Sequence, residues 1–205
     1  MINNIDNNID IHIDNIDNNI INTINKNGDQ EWYQDGKLHR DNDLPAIIKK
    51  NGDQLWYQDG KLHRDNDLPA IIRNDGDQLW YQHDKRHRDN DLPAVIIKNT
   101  GCQVWFQNGK IHRDELPAII RIDGSEWYQN DKLHRENDLP ACIFNYGDQA
   151  WYQNGKLHRE NNLPAIIRND GYQAWFQNDK KQRDNHLLFI ILNNCNRILK
   201  YIMNE

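Results

Sequence analysis

Six His-Arg dipeptides carry the side chains best equipped for chemistry: His39-Arg40, His63-Arg64, His87-Arg88, His112-Arg113, His134-Arg135 and His158-Arg159. Imidazole can ligate a metal or move a proton near neutral pH, and guanidinium is a forked donor for carboxylate or phosphate. An acidic residue follows every pair, and the pairs recur at nearly constant spacing. The functional reading is therefore a candidate partner-binding ladder made of Tyr57, His63, Arg64, His87, Arg88, His112, Arg113, His134, Arg135, His158 and Arg159. A metal shared between copies is not expected. Three strands per copy at about 4.8 Å each would set equivalent histidines roughly 14 Å apart. The structural reading places His63 opposite Trp56 and lets Arg64 bond the Asp65-Asn66-Asp67 loop, holding the chain as it enters Leu68-Pro69.

Other catalytic inventories are thin. The chain has one serine, Ser125, and two threonines, Thr23 and Thr100, none in a nucleophile motif. Cys102, Cys142 and Cys195 lack metal-ligand spacing and are too sparse for a disulfide framework, which points to idle thiols in a reducing compartment. Carboxylate pairs abound in the DND loops, but an active site needs one asymmetric pocket, whereas near-identical copies make a surface. No phosphate-cradling glycine loop occurs. The expectation is a non-enzyme with no cofactor and no metal.

Charge narrows the partners. Acidic side chains number 31 against 25 basic, a formal charge of −6, so the long-range field repels polyanions and nucleic acid is not expected. The longest apolar run, Leu187 to Leu192, falls far short of the ~20 residues that span a bilayer, and no basic segment leads into an apolar stretch at the start. A soluble, cytoplasmic protein with a protein partner is expected.

The elements that position these residues follow from self-similarity. Tryptophan recurs at Trp32, Trp56, Trp80, Trp105, Trp127, Trp151 and Trp175, with spacings of 24, 24, 25, 22, 24 and 24. Seven tandem copies fill 27–193, divided as 27–50, 51–74, 75–99, 100–122, 123–145, 146–169 and 170–193. All 11 glycines sit at two positions of the copy and all six prolines in its LPA step. Both glycine positions fit type I′ hairpin turns, with short β-favouring segments between them. Two-residue turns would put Ile48, Leu55, Tyr57 and Leu62 on one face and Ile47, Trp56 and His63 on the other. The aromatic pair in each copy could stack bases or sugars, but regular spacing favours packing of the sheet. Irregular copies place their length changes in turns and loops: an added isoleucine in Ala94-Val95-Ile96-Ile97, an acidic loop cut to Asp114-Glu115, and a residue lost between Gly124 and Trp127. The fold class predicted is all-β, an antiparallel meander of seven units forming an elongated twisted sheet or solenoid.

The ends differ. Residues 1–26 form a low-complexity Ile/Asn/Asp head whose isoleucines at 2, 5, 9, 13, 16, 20 and 24 follow the helical period, so disorder, an amphipathic helix and an added β edge all stay open. The head, or the sheet edges, could also mediate self-association. The seventh copy loses its Pro and His, and residues 194–205 are expected to cap the open edge, as a short helix.

The string Trp151 to Arg159, WYQNGKLHR, resembles the MORN-type repeat superfamily and is closer to the variant of bacterial antitoxin-like proteins, whose units run aromatic-aromatic-x-Asn-Gly-Lys-Leu. Its extension to LPA is similar to HREDGPA-type repeats of phage, bacterial and giant-virus proteins. The resemblance implies a meandering β-repeat protein without catalytic residues. Two functions are expected from it and from the residues: a binding or scaffold module acting in the cytoplasm, that of the host if the protein is viral, or an antitoxin-like inhibitor of one enzyme.

Overall fold

Asp, Asn and His tolerate positive φ better than other side chains, and the chain places them or Gly at both centres of the turn after each aromatic pair. In the computed structural model, which describes residues 10–15 and 20–185 with side chains from residue 21 onward, that turn is type I′ in all seven copies. Asp59 and Gly60 have φ of 51° and 80°, and Tyr57 pairs with Leu62 and Gln58 with Lys61 across them. Three copies replace Gly with Asp at the second centre, and the substitution adds a bond. Asp84 Oδ1 accepts the Leu62 N–H at 2.8 Å, Asp131 Oδ1 that of Ile111 at 2.8 Å, and Asp179 Oδ1 that of Leu157 at 2.8 Å. The carboxylate clamps the hairpin of the preceding copy.

The protein is all-β, an antiparallel meander of short strands, with no helix among the described residues. It divides into two units, Met1–Lys110 and Ile111–Glu205. In the first unit β1 (Asp10–Asn15) pairs with β2 (Ile20–Ile24), β2 with β3 (Gln30–Gln34), and β3 with both β4 (Lys37–Leu38) and β5 (Ile47–Ile48). The second copy then shows the pattern: β5 pairs with β6 (Gln54–Leu55), the chain breaks from the sheet at Trp56, and β7 (Tyr57–Gln58) forms a separate hairpin with β8 (Lys61–Leu62). A copy thus gives two strands to the main sheet and two to its own hairpin, not three to one sheet as the sequence reading had it. The second unit repeats this, its main sheet running through Ile119–Arg121, Gly124–Glu126, Cys142–Phe144, Gln149–Ala150, Ile166–Ile167, Gln173–Gln177 and Lys180–Asp184.

The register departs from expectation at the other glycine. Ile47 faces Leu55 and Ile48 faces Gln54, one residue away from the predicted pairing. Lys49 N–H bonds the Asp53 carbonyl and Gly52 N–H the Lys49 carbonyl, which closes a three-residue loop with Gly52 at φ 94°. This is a type I turn followed by a left-handed residue, the second commonest hairpin connection, in place of type I′. One added loop residue exchanges the faces of Ile47 and Ile48. The core cluster consequently holds Leu55, Leu62 and Ala70, with Ile47, Tyr57, Ile71 and Tyr81 packed against it.

Two of the three length changes are absorbed in this same hairpin. Between the third and fourth copies Ile97 pairs with Cys102 across a four-residue loop, which takes up the added isoleucine. Between the fourth and fifth copies Arg121 pairs with Gly124 across Ile122 and Asp123 alone. Gly124, predicted to lie in a turn, is therefore a strand residue, and a Cβ there would sit 2.5 Å from the Ile143 carbonyl oxygen. In all three loop lengths the residue after the buried Ala still faces the residue before Trp, so the aromatic keeps its place.

In the head, Asp10–Asn15 and Ile20–Ile24 are strands, where disorder or helix was the leading expectation and an added β edge the third alternative. The physical reason is the open edge of β3: its N–H and C=O groups need partners, and the β-branched Ile20, Ile21, Thr23 and Ile24 supply a strand to pair with them. That demand overrides a helical spacing built from poor helix formers. The expected cap at 194–205 lies outside the described residues.

Candidate functional site

In the inner copies, where Trp breaks the strand, it is held from three sides. Its backbone N–H bonds the carbonyl of the next LPA alanine, as in Trp56 to Ala70 at 2.8 Å. Its indole N–H reaches back to the preceding acidic loop: Trp56 Nε1 donates to the Asp43 carbonyl at 3.0 Å, and Trp151 Nε1 to that of Asp138 at 2.9 Å. The LPA alanines beside it, among them Ala70, Ala118 and Ala165, have no exposed surface at all. The third side is the Arg of the same copy, its guanidinium over the indole at 3.8 Å for Arg64 on Trp56 and 3.8 Å for Arg159 on Trp151.

The candidate ladder is bonded into the fold in this way. Arg64 donates Nε and NH2 to the two Asp43 oxygens at 2.7 and 2.8 Å and NH1 to the Pro69 carbonyl at 3.2 Å. Arg88 repeats the fork on Asp67 with 2.8 Å bonds and reaches the Pro93 carbonyl. Arg159 does so on Asp138 and Pro164. The carboxylate belongs to the preceding copy's loop, not to the Arg's own DND loop as the sequence suggested. Hydrogen bonding to Arg64 holds the Asp43 carboxyl below the ordinary carboxylate range, and Arg88 does the same for Asp67.

Each histidine of the His-Arg pairs uses both ring nitrogens. His63 Nδ1 accepts the backbone N–H of His83 and Nε2 faces Asp65 Oδ1 at 3.0 Å, so the proton sits on Nε2. His87, His112, His134 and His158 take their Nδ1 bond from Asn108, Asn130, Asn154 and Asn178, and their Nε2 faces Asp89, Asp114, Glu136 and Glu160. Tyr57 is half-buried against the core cluster. His63 lies opposite Trp56 across the hairpin, as expected, with its N–H on the Trp56 carbonyl at 3.1 Å, and its ring stacks on His83 with centroids 4.4 Å apart.

Sequence reasoning missed two recurring residues and one irregular site. The Asp of the GDQ step clamps the next copy's turn: Asp29, Asp53, Asp77 and Asp148 accept the backbone N–H of Lys50, Asn74, Lys98 and Asn169 at 2.9 to 3.0 Å. The Leu of the LPA step is exposed in every described copy, at 38% to 50%: Leu44, Leu68 and Leu92 in the first unit, Leu116, Leu139 and Leu163 in the second. An apolar residue retained where the fold does not bury it was the available signal.

The irregular site is a cavity of about 380 Å³ in the second unit, whose walls include Glu115, Trp127, Arg135 and Leu139. The usual DND loop is a type I′ turn, with Asn42 and Asp43 at φ 60° and 55° and Leu44 N–H on the Asp41 carbonyl. In the shortened loop Leu116 N–H bonds the Asp114 carbonyl around Glu115 at φ 55°, a γ-turn of the rare, strained hand. Glu115 still offers its carbonyl to Trp127 Nε1 at 3.1 Å, as Asp43 does to Trp56. Arg135 stacks on Trp127 at 3.7 Å and donates NH1 to the Pro140 carbonyl at 3.2 Å, but among the described residues it has no carboxylate partner.

Of the thiols, Cys142 is buried, and that burial pushes it up to about 12, while Cys102 is half-buried. No helix among the described residues is long and apolar enough to cross a membrane. In comparisons with known proteins, no family model matches this chain and no curated protein is significantly similar to it.

Proposed function

We propose that the chain is a non-enzymatic protein-binding module that presents one apolar row per unit to a protein partner in the cytoplasm, that of a host cell if the protein is viral. The observation that carries this reading is the leucine repeated at one exposed position, Leu44, Leu68 and Leu92, then Leu116, Leu139 and Leu163. A single exposed leucine needs no explanation, but an apolar side chain kept at the surface copy after copy is how a repeat protein builds a contact face. Histidine and arginine, which looked like the ladder, bind copies to one another and leave that task to leucine. Membership of the MORN-like and HREDGPA-type repeats remains part of this proposal and fits a meander without catalytic residues.

The test is capture of partners by the tagged full chain beside a Leu68→Asp/Leu92→Asp variant. A stoichiometric partner retained by the parent and lost by the variant is expected, with the circular dichroism of both chains alike because the leucines are exposed. Equal capture by both would refute the leucine face. The inhibitor reading has one observation in its favour: the irregular hairpin and loop around Gly124 and Glu115 single out one place in an otherwise repeated surface. It predicts that deleting that copy alone abolishes binding, whereas a scaffold weakens gradually as any copies are removed.

A further inference from the structure

We propose that the cavity at Arg135 binds the carboxylate of an acidic side chain from a protein partner, in the place that an aspartate of this chain fills in the regular copies. The occupant is read from the protein's own geometry. Arg64, Arg88 and Arg159 each meet a carboxylate with Nε and NH2 in a fork while NH1 holds a Pro carbonyl and the plane lies on Trp. Arg135 keeps the Pro140 carbonyl and the Trp127 face, so its guanidinium is held from the same two sides. Its fork has lost only the carboxylate.

The loss has a local cause. The loop preceding Arg135 lacks one residue, and Glu115 stands where Asp43 stands in the first copy. Its backbone remains in place, as the carbonyl bond to Trp127 shows. The γ-turn and the additional methylene leave its carboxylate without a hydrogen bond to Arg135 among the described residues. Shielding from water pulls Arg135 below the ordinary guanidinium value, and a half-buried cation in that state gains from an anion.

Carboxylate is favoured over phosphate on two grounds. The same fork takes a planar, singly charged carboxylate bidentately in the regular copies, as Arg64 does Asp43 and Arg88 does Asp67. Among the charged groups that line the cavity, Glu115 and Glu136 offset Arg113 and Arg135, which leaves no excess of positive charge for a dianion. Leu139 on the same wall belongs to the exposed leucine row, which sets the anionic anchor beside an apolar one. That a protein supplies the acid rests on the protein-binding reading; that the cavity takes a carboxylate does not.

The experiment uses the full chain and two probes, N-acetylaspartate N-methylamide and inorganic phosphate, with the Arg135 Nε–Hε resonance as readout. The aspartyl probe is expected to give a saturable downfield shift at Arg135 and none at Arg159. The shift should vanish in Arg135→Lys, which keeps the charge but not the fork. It should also vanish in a loop-restored variant, Glu115→Asp with an Asn inserted after Asp114, where the chain's own carboxylate fills the site. Absence of a saturable shift up to the solubility of the aspartyl probe overturns the proposal, as does an unchanged shift in the loop-restored variant. Tighter binding of phosphate overturns the carboxylate assignment. A shift seen only in Glu115→Gln shows that Glu115 is itself the occupant and overturns it too. Because the probe needs no partner, loss of capture in the leucine variants with an intact probe response would fail the protein-binding reading alone.

Discussion

Within the second unit, Arg159 and Arg135 form a natural comparison, since they share everything but the carboxylate. Replacing Arg159 by alanine removes the fork on Asp138, the bond to the Pro164 carbonyl and the stack on Trp151. Asp138 is 42% exposed, so the pair sits in partly screened surroundings and contributes about 1 kcal/mol. The charged bond to the carbonyl adds about 1.5 kcal/mol and the stack about 0.5–1 kcal/mol. Arg159→Ala should therefore cost about 3 kcal/mol and Arg135→Ala about 2 kcal/mol, the difference being the carboxylate. Urea unfolding of the full chain, followed by Trp fluorescence, measures both. Raising salt to about 1 M shortens the screening length to about 3 Å and should narrow the gap, while the cost of Arg135→Ala stays nearly fixed. In an Asp138→Asn background the gap should also close. Equal costs with equal salt response would refute the claim that Arg135 lacks the partner Arg159 has.

Acid should weaken the first unit. Asp43, Asp53, Asp67 and Asp89 all lie below the ordinary carboxylate value of 3.8, held there chiefly by Arg64, the Asn74 N–H, Arg88 and His87 respectively. A folded value below the unfolded one contributes stability above about pH 4 that is lost as pH falls through the folded value, so urea midpoints should drop below pH 4 and stay level just above it. Gly124→Ala should destabilise the second unit by about 1–3 kcal/mol, because the new Cβ meets the Ile143 carbonyl oxygen at 2.5 Å; a stability unchanged from the parent would contradict the strand placement of Gly124. Thiol titration of the folded chain at pH 8 should leave Cys142 unmodified, since burial pushes it up to about 12, and modification as fast as in denaturant would contradict its burial.

The period, the meander and the type I′ turn after the aromatics were legible because glycine, asparagine and aspartate at fixed offsets encode local backbone angles. The other hairpin was misread by one residue, since Asn51-Gly52 satisfies a type I turn with a left-handed Gly as well as a type I′ turn, and only the pairing of Ile47 with Leu55 decides between them. The head was misread for a different reason. Its isoleucine spacing is a property of the segment alone, whereas the strand at Ile20–Ile24 answers the unpaired edge of Gln30–Gln34, which no local pattern contains. At the candidate site, His63 and Arg64 were seen to have structural duties, but Arg64 bonds Asp43 across copies rather than Asp65 beside it. A repeat hides such partners, because every copy offers the same acid at two distances.

The same repetition explains why one irregular copy carries more functional information than the regular ones. In the regular copies the His Nδ1, the Arg fork and the Trp indole N–H each meet a partner in a neighbouring copy, so sequence identity from copy to copy follows from the need to fit neighbours. A copy that shortens its loop forfeits the carboxylate bond to the next copy's Arg and should be disfavoured on stability alone. Leu116-Pro117-Ala118 and Arg113 nevertheless persist around the shortened loop, and Trp127 and Arg135 keep their stack. Only the carboxylate is missing, and its loss leaves a half-buried cation beside an exposed leucine. A defect that removes one partner while preserving the rest of its setting has the form of a binding site, and restoring Asp-Asn-Asp at 114–115 should therefore raise stability at the expense of binding.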